Sequence, residues 1–225
     1  MKKVDFDRFT ASYNDLLREK TGFFTEDESY FARYKVALAR ERVGPAPRRV
    51  LEFGCGIGRN IAFLREAFPD AEVMGSDVSA KSIEIARHEN PGVHFWTEGR
   101  GEDERGGFDF VFVAGVLHHI PPAERDGAIA SVHERLVPGG AIVVFEHNPF
   151  NPVTRRIVSE CPYDEGVILL RPAELKGRLE QGGFAVAASG FSLFFPPQLK
   201  ALARLEAKLA WLPLGGQYWV QATRR

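Results

Sequence analysis

From Arg49 onward the apolar positions alternate between two periods. Short runs in which nearly every residue is apolar read as strands buried on both faces, and the stretches between them, with apolar residues every three or four positions, read as covering helices. Residues 49–54 (RVLEFG) are the first predicted strand, and Asn60 to Phe68 follows as a helix with Ile61, Leu64 and Phe68 on one face. Residues 71–77 (AEVMGSD) form the second strand. Ser79 then caps a helix over 80–89 by accepting backbone N–H bonds. Residues 93–98 and 108–116 are the third and fourth strands, the latter a nearly unbroken apolar run suited to the middle of a parallel sheet. Pro121 and Pro122 pre-set a helix that buries Ile129, Val132 and Leu136 and stops at Pro138-Gly139-Gly140. Residues 141–148 are the fifth strand.

Beyond this point the pattern loosens. Residues 148–171 read as a long loop or insertion, and Pro172 opens a short helix ending at Gly182-Gly183. A strand over 185–195, an amphipathic helix over 197–212 (Leu199, Leu202, Leu205, Leu209) and a last strand over 217–225 complete the chain. Ahead of the first strand, 6–17 and 29–43 carry apolar residues at helical spacing, parted by a turn at Thr21-Gly22 and closed off by Gly-Pro-Ala-Pro at 44–47. The alternation predicts an α/β fold: a doubly wound, mostly parallel, seven-stranded sheet with an antiparallel last strand and an N-terminal helical cap. Residues 1–44 form the cap and 45–225 the ligand-binding domain.

Composition narrows the function. Among 225 residues, 29 are basic and 30 acidic, a net charge of −1 with no basic stripe, so a nucleic-acid partner is not expected. Cys55 and Cys161 lie far apart with no Cys-x-x-Cys or His-rich companion, which disfavours zinc and fits a reducing compartment. The basic start is followed by no apolar stretch, and the longest apolar run, Phe108 to Ile120, is broken by Asp109, His118 and His119. Neither a signal peptide nor membrane insertion is expected. The expected location is the cytoplasm. The 18 phenylalanines are expected mostly in the core, with some lining a ligand cavity.

The chemistry sits in Glu52-Phe53-Gly54-Cys55-Gly56-Ile57-Gly58, between a strand and a helix. Glycines there permit a tight turn and a close ligand approach. A dinucleotide fingerprint would need a third glycine where Arg59 stands, and a phosphate loop would need Gly-Lys-Ser/Thr. Asp77, about twenty residues on at the end of the second strand, is placed to accept both hydroxyls of a ribose. In order and spacing, VLEFGCGIGRN, GSDVS, FDFVFVAGVLHHI and LVPGG resemble the motifs of class I S-adenosylmethionine-dependent methyltransferases of the ubiquinone-biosynthesis type, over roughly residues 49–147.

The resemblance implies S-adenosyl-L-methionine as cofactor. Glu52, Gly54, Cys55, Gly56 and Gly58 would form the loop around its methionine and ribose portions. Asp77 would hold the ribose hydroxyls, Val78 would pack on the adenine, and Ala114 would sit near the methionine. Where the family often has an acidic residue after the third strand for the adenine amino group, this chain has Arg100, with Glu98 or Glu102 as substitutes. Tyr13-Asn14 matches a setting in which an N-terminal tyrosine covers the cofactor. With Phe6, Phe9, Phe23, Phe24, Tyr30, Phe31 and Tyr34 it makes the first forty residues an expected lid over cofactor and acceptor.

Methyl transfer from a sulfonium relies mainly on proximity, and a general base matters only for a hydroxyl or an acidic carbon. His119 is an expected site residue, whereas His118 is expected to pack or face solvent. His147 is the expected proton acceptor, the alternative being that Glu146 and His147 only tie down the following loop. Asn148, Asn151 and Arg155 are expected to hydrogen-bond a polar acceptor, and Tyr13 and Asn148 are the expected substrate-side residues. With no acidic trio after the fourth strand, a metal is not expected. The expected reaction is methylation of O, N or C of a small molecule. The alternatives are a non-catalytic regulatory protein that binds S-adenosylmethionine and a methyltransferase acting on a macromolecule.

Overall fold

In a computed structural model the described residues are 25, 27, 29–43, 47–101, 106–199, 202 and 204–225. The strands are β1 (Arg49–Phe53), β2 (Glu72–Asp77), β3 (His94–Thr97), β4 (Phe108–Ala114), β5 (Leu136–His147), β6 (Phe184–Ser192) and β7 (Gln217–Arg224). The helices are α1 (Tyr30–Arg42), α2 (Ile61–Ala67), α3 (Ala80–Glu89), α4 (Arg125–Arg135), α5 (Pro152–Glu160), α6 (Pro172–Gln181) and a single turn, α7 (Glu206–Leu209). One seven-stranded sheet runs β3-β2-β1-β4-β5-β7-β6, parallel except for β7, which is antiparallel to both β5 and β6. From β1 the chain winds outward through β2 and β3, then returns to β4 on the other side. A crevice therefore opens at the carboxyl ends of β1 and β4.

Side chains alternating along each strand feed two cores. Leu51, Val111, Val113 and Val144 pack with Ile129 and Val132 of α4 and Leu175 and Leu179 of α6. Val50, Phe110, Phe112 and Phe145 pack on the other face with Val36 and Ala39 of α1, Ile61 and Leu64 of α2, and Ile83 and Ala86 of α3. Among the described phenylalanines, Phe108, Phe110, Phe112, Phe145 and Phe184 are fully buried, Phe31 and Phe194 border the cavity described below, and Phe150 is exposed. Ser79 caps α3 as predicted, its Oγ accepting from Ser82 N–H at 3.0 Å.

The described part of the N-terminal segment is a docked element. Besides its core residues, α1 ends on the Arg42 carbonyl, which accepts from Gln221 Nε2, with the Arg42 guanidinium 4.4 Å from the Trp219 ring centroid. Tyr13 and the rest of the expected lid before Thr25 lie outside the described residues. Among the described residues no helix is long and apolar enough to cross a membrane.

Three expectations are corrected. Leu136 does not end a helix; it begins β5, pairing with Phe108 before an irregularity carries the strand past Pro138-Gly139-Gly140 to the Phe110–Ala141 pair. Residues 148–171 are not a structureless loop. Asn151 Oδ1 accepts from the N–H groups of Val153 and Thr154, and Pro152 opens α5. The helix expected over 197–212 is not continuous among the described residues: Leu199 lies outside any helix, 204–205 are turns, and α7 spans Glu206–Leu209 alone, while 200, 201 and 203 lie outside the described residues. The three-residue spacing of its leucines suits turns better than an α-helical face, and Leu199 and Leu205 are exposed.

Arg125 fastens the turn after β4 to the segment before α6. Fully buried, it donates to the carbonyls of Ile120 at 3.0 Å and Ile168 at 2.5 Å and meets Glu174 at 3.3 Å. Arg125→Ala leaves two carbonyls without donors and a hole in the core. Urea unfolding should show a loss of roughly 2–4 kcal/mol. A loss under about 1 kcal/mol would mean that water replaces the guanidinium at no cost.

Candidate functional site

The carboxyl ends of β1, β2, β4 and β5 surround a cavity of about 860 Å³, bordered by Glu52, the glycine loop, Asp77, Ala114, His119 and His147. That volume lies in the upper part of the usual range for small-molecule sites.

The loop after β1 is latched from β2. Gly54 and Cys55 N–H both donate to the Ser76 carbonyl at 2.8 Å, and Gly56 N–H donates to Asp77 Oδ2 at 2.8 Å. Asp77 Oδ1 accepts from Ser79 N–H at 2.9 Å, so one carboxylate holds the loop and the entry to α3 together. Burial raises the Asp77 pKa against the pull of these N–H groups.

The three glycines have different reasons to be glycine. A Cβ on Gly54 would lie 2.5 Å from a Val116 methyl, and one on Gly58 would lie 2.7 Å from Asn90 Nδ2; packing demands both. A Cβ on Gly56 would meet no protein atom within 4 Å, at a φ of +53°, in the loop that borders the cavity. Only Gly56 leaves room for something other than the protein. Cys55 is a core residue whose Sγ sits under Gly75, and burial raises its thiol pKa. Val78 is exposed beside Asp77, and Ala114 is partly exposed at the end of β4.

Glu52 is the unusual group on β1. It is 1% exposed, one carboxylate oxygen accepts from Asn60 Nδ2 at 2.5 Å, and the other has no hydrogen-bond partner among the described residues. Burial pushes its pKa up to about 8, against the opposing influence of Asn60 and Lys35. Lys35, on α1, borders the same cavity, and burial lowers its pKa to about 8. The sequence held a signal for Lys35, a lone lysine within the apolar spacing of Phe31, Val36 and Ala39, which sequence reasoning missed.

The histidines gather on the opposite wall. Glu146, on β5, accepts from Leu117 N–H at 2.8 Å and from His118 Nδ1 at 2.6 Å, which fixes the 3₁₀ turn Leu117–His119. His118 therefore neither packs passively nor faces solvent: it is buried in an ion pair. Although burial opposes its charge, Glu146 and Asp164 raise its pKa to about 9. Glu146 is held below the usual carboxylate range by His118 and His147 in spite of burial. Burial, and then the positive His118, lower His119 to about 3 and His147 to about 4.

Two expected contacts fail on geometry. Asn148 is fully buried and its amide is used up: Nδ2 donates to the carbonyls of Pro213 and Gly215, and Oδ1 accepts from Phe150 N–H. It anchors the turn before β7 and does not border the cavity. Glu98 borders the cavity, but both its oxygens are bound by Arg135, at 2.6 and 2.7 Å. A contact to adenine through Glu98 would have to compete with that bidentate pair. Glu102 lies outside the described residues.

A glycine loop and an acidic strand end at the switch point of such a sheet define a Rossmann-like site for a nucleoside-bearing ligand. Residues 51–142 match the model of a methyltransferase domain family. Trans-aconitate 2-methyltransferase of Methylobacterium radiotolerans is 32% identical over 106 residues, covering 44% of this chain and 38% of that protein. Demethylmenaquinone methyltransferase of Thermus thermophilus is 32% identical over 130 residues, covering 52% of this chain and 54% of that protein. The chain thus spans about four-tenths to just over half of the length of these relatives. A solved structure from Thermotoga maritima, described as a SAM-dependent methyltransferase and possible histamine N-methyltransferase, superposes with a TM-score of 0.69 at 20% identity over 98% of both chains. Residues 51–142 thus carry a methyltransferase domain, and the fold is the one seen in SAM-dependent methyltransferases of known structure.

Proposed function

We propose that this protein methylates a small-molecule acceptor with S-adenosylmethionine as donor. The observation that carries the reading is the buried Glu52 carboxylate, one oxygen of which has no partner among the described residues, beside the Asp77-latched loop at one end of the cavity. A buried anion without a partner is costly, and a cationic ligand group relieves the cost. S-adenosylmethionine carries such an α-amino group, and its sulfonium supplies a methyl already activated for transfer.

In this reading Glu52 binds the α-amino group and Lys35 balances the α-carboxylate. Asp77 keeps a lone pair on each oxygen for the ribose hydroxyls. Gly54, Cys55, Gly56 and Gly58 shape the loop, Val78 covers the base, and Ala114 adjoins the methionine chain. His147, at the end of β5 with its ring on the cavity, is the proton acceptor when the acceptor atom is a hydroxyl. His119 is less free for that role, because its Nε2 lies 3.4 Å from Asp164 Oδ1.

The balanced charge and the small-molecule substrates named for the relatives support a metabolite over a macromolecule. The expected location is intracellular. Calorimetry tests the donor. S-adenosylhomocysteine should bind with a micromolar Kd and NADH should give no heat. Asp77→Ala should weaken binding about tenfold to a hundredfold, the loss of a charge-assisted contact and of the loop latch. Unchanged affinity in a folded Asp77→Ala protein would sink the ribose assignment. Binding without turnover on any acceptor would favour the regulatory reading.

A further inference from the structure

His118 and His119 sit on the turn after β4, while Asp164 ends a 3₁₀ turn, Pro162–Asp164, after α5. The fold brings them together. Asp164 Oδ1 lies 3.7 Å from His118 Nε2 and 3.4 Å from His119 Nε2, and the three donor atoms all fall within 4.8 Å of one another. We propose that these three side chains form a site for a divalent transition-metal ion on the wall of the cavity.

The spacing suits the ion. Donors about 2.0–2.2 Å from a tetrahedral metal stand roughly 3.3–3.6 Å apart. The separations to Asp164 meet that with shifts of a few tenths of an ångström. His118 is also prepared as a ligand. Its Nδ1 is committed to Glu146 at 2.6 Å, which turns Nε2 toward Asp164 and the cavity. That nitrogen is buried and has no hydrogen-bond partner among the described residues. A carboxylate behind a ligating imidazole is the usual arrangement for orienting the ring and strengthening it as a donor.

The charge balance agrees. Glu146 and Asp164 put two carboxylates around one imidazole, an arrangement that a divalent ion would neutralise. Two nitrogens and one oxygen favour zinc or ferrous iron over magnesium. All three residues border the cavity, so the remaining position faces the space where the acceptor lies in the methyltransferase reading. That position would hold water or an acceptor oxygen, as in metal sites that keep an open coordination position. The location relative to the acceptor rests on that reading; the metal site does not.

The full-length protein, stripped with chelator, is titrated calorimetrically with Zn2+ and with Mg2+, and separately with S-adenosylhomocysteine. One Zn2+ per chain should bind with a Kd of micromolar or tighter, with no heat from Mg2+. Co2+ should develop the visible absorption of a low-coordinate nitrogen–oxygen site. Asp164→Asn and His119→Gln should each weaken Zn2+ at least tenfold and erase the Co2+ absorption. His88→Gln, at an exposed histidine, should change neither. Absence of saturable Zn2+ binding, or binding that survives both Asp164→Asn and His119→Gln in folded protein, would overturn the proposal. S-adenosylhomocysteine binding without zinc binding overturns the metal site and leaves the methyltransferase reading intact. Zinc binding without S-adenosylhomocysteine does the reverse.

Discussion

Gly56→Val should raise the Kd for S-adenosylhomocysteine more than a hundredfold while the sheet remains folded. At Gly56 the Cβ would meet no described protein atom within 4 Å, so the isopropyl group has one place to go, the space beside the loop that the ligand occupies in the proposed reading. The φ of +53° adds strain, since a β-branched residue is strongly disfavoured in the left-handed region. That strain should cost about 1–2 kcal/mol, within the stability of a domain this size. Gly58→Ala makes the contrast. Its Cβ would collide with Asn90 and Ala86 of the α3 region, so destabilisation should precede any effect on affinity. Parent-like affinity in a folded Gly56→Val protein would show that the ligand does not approach the loop.

Glu52→Gln should move stability and binding in opposite directions. The folded protein holds the Glu52 proton up to about pH 8, whereas the unfolded chain releases it near the ordinary glutamate value of 4.5. A raised acid pKa means that the parent loses stability as the pH climbs from 4.5 to 8, because only the folded state must bury the anion. Glutamine carries no such penalty. The variant should therefore be the more stable at pH 8, by on the order of 2–4 kcal/mol, with the difference gone below about pH 4. Its affinity for S-adenosylhomocysteine should fall about tenfold to a hundredfold, for want of an anion facing the α-amino group. Unfolding curves at pH 4, 6 and 8 decide it. Equal stability at all three would mean that Lys35 neutralises Glu52 in full. A site that destabilises the ligand-free fold is a common cost of function.

Much of the fold, and the placing of the glycine loop and Asp77 at the candidate site, was legible from sequence. In a parallel sheet covered on both faces, a strand is an apolar run and a helix a three-to-four repeat, both local patterns. The glycine spacing and Asp77 were legible for the same reason: a loop between β1 and α2 and a residue at the end of β2 are placed by chain connectivity. Ser79 as a cap is likewise decided within three residues.

Other features were not legible, because they arise between segments distant in the chain. Asn148 looked like a ligand contact since it follows a strand at the crevice, but Pro213 and Gly215, more than sixty residues on, take its amide. Glu98 looked free for adenine until α4 brought Arg135 against it. The 197–212 segment has helical composition, yet Leu199 and Leu205 are exposed and the described helix there is only the turn Glu206–Leu209.

The sequence alone determined which segments are strands, where the glycine loop lies, and which acidic residue ends β2, because each depends on the residues nearest to it. The tertiary structure alone decided that Glu52 is left with a bare oxygen, that His118 pairs with Glu146, and that Asp164 meets two histidines some forty-five residues earlier. Those outcomes follow from burial and from distances across the sheet. The charge a side chain carries, and the partner it finds, are set by what surrounds it, and no local pattern records that.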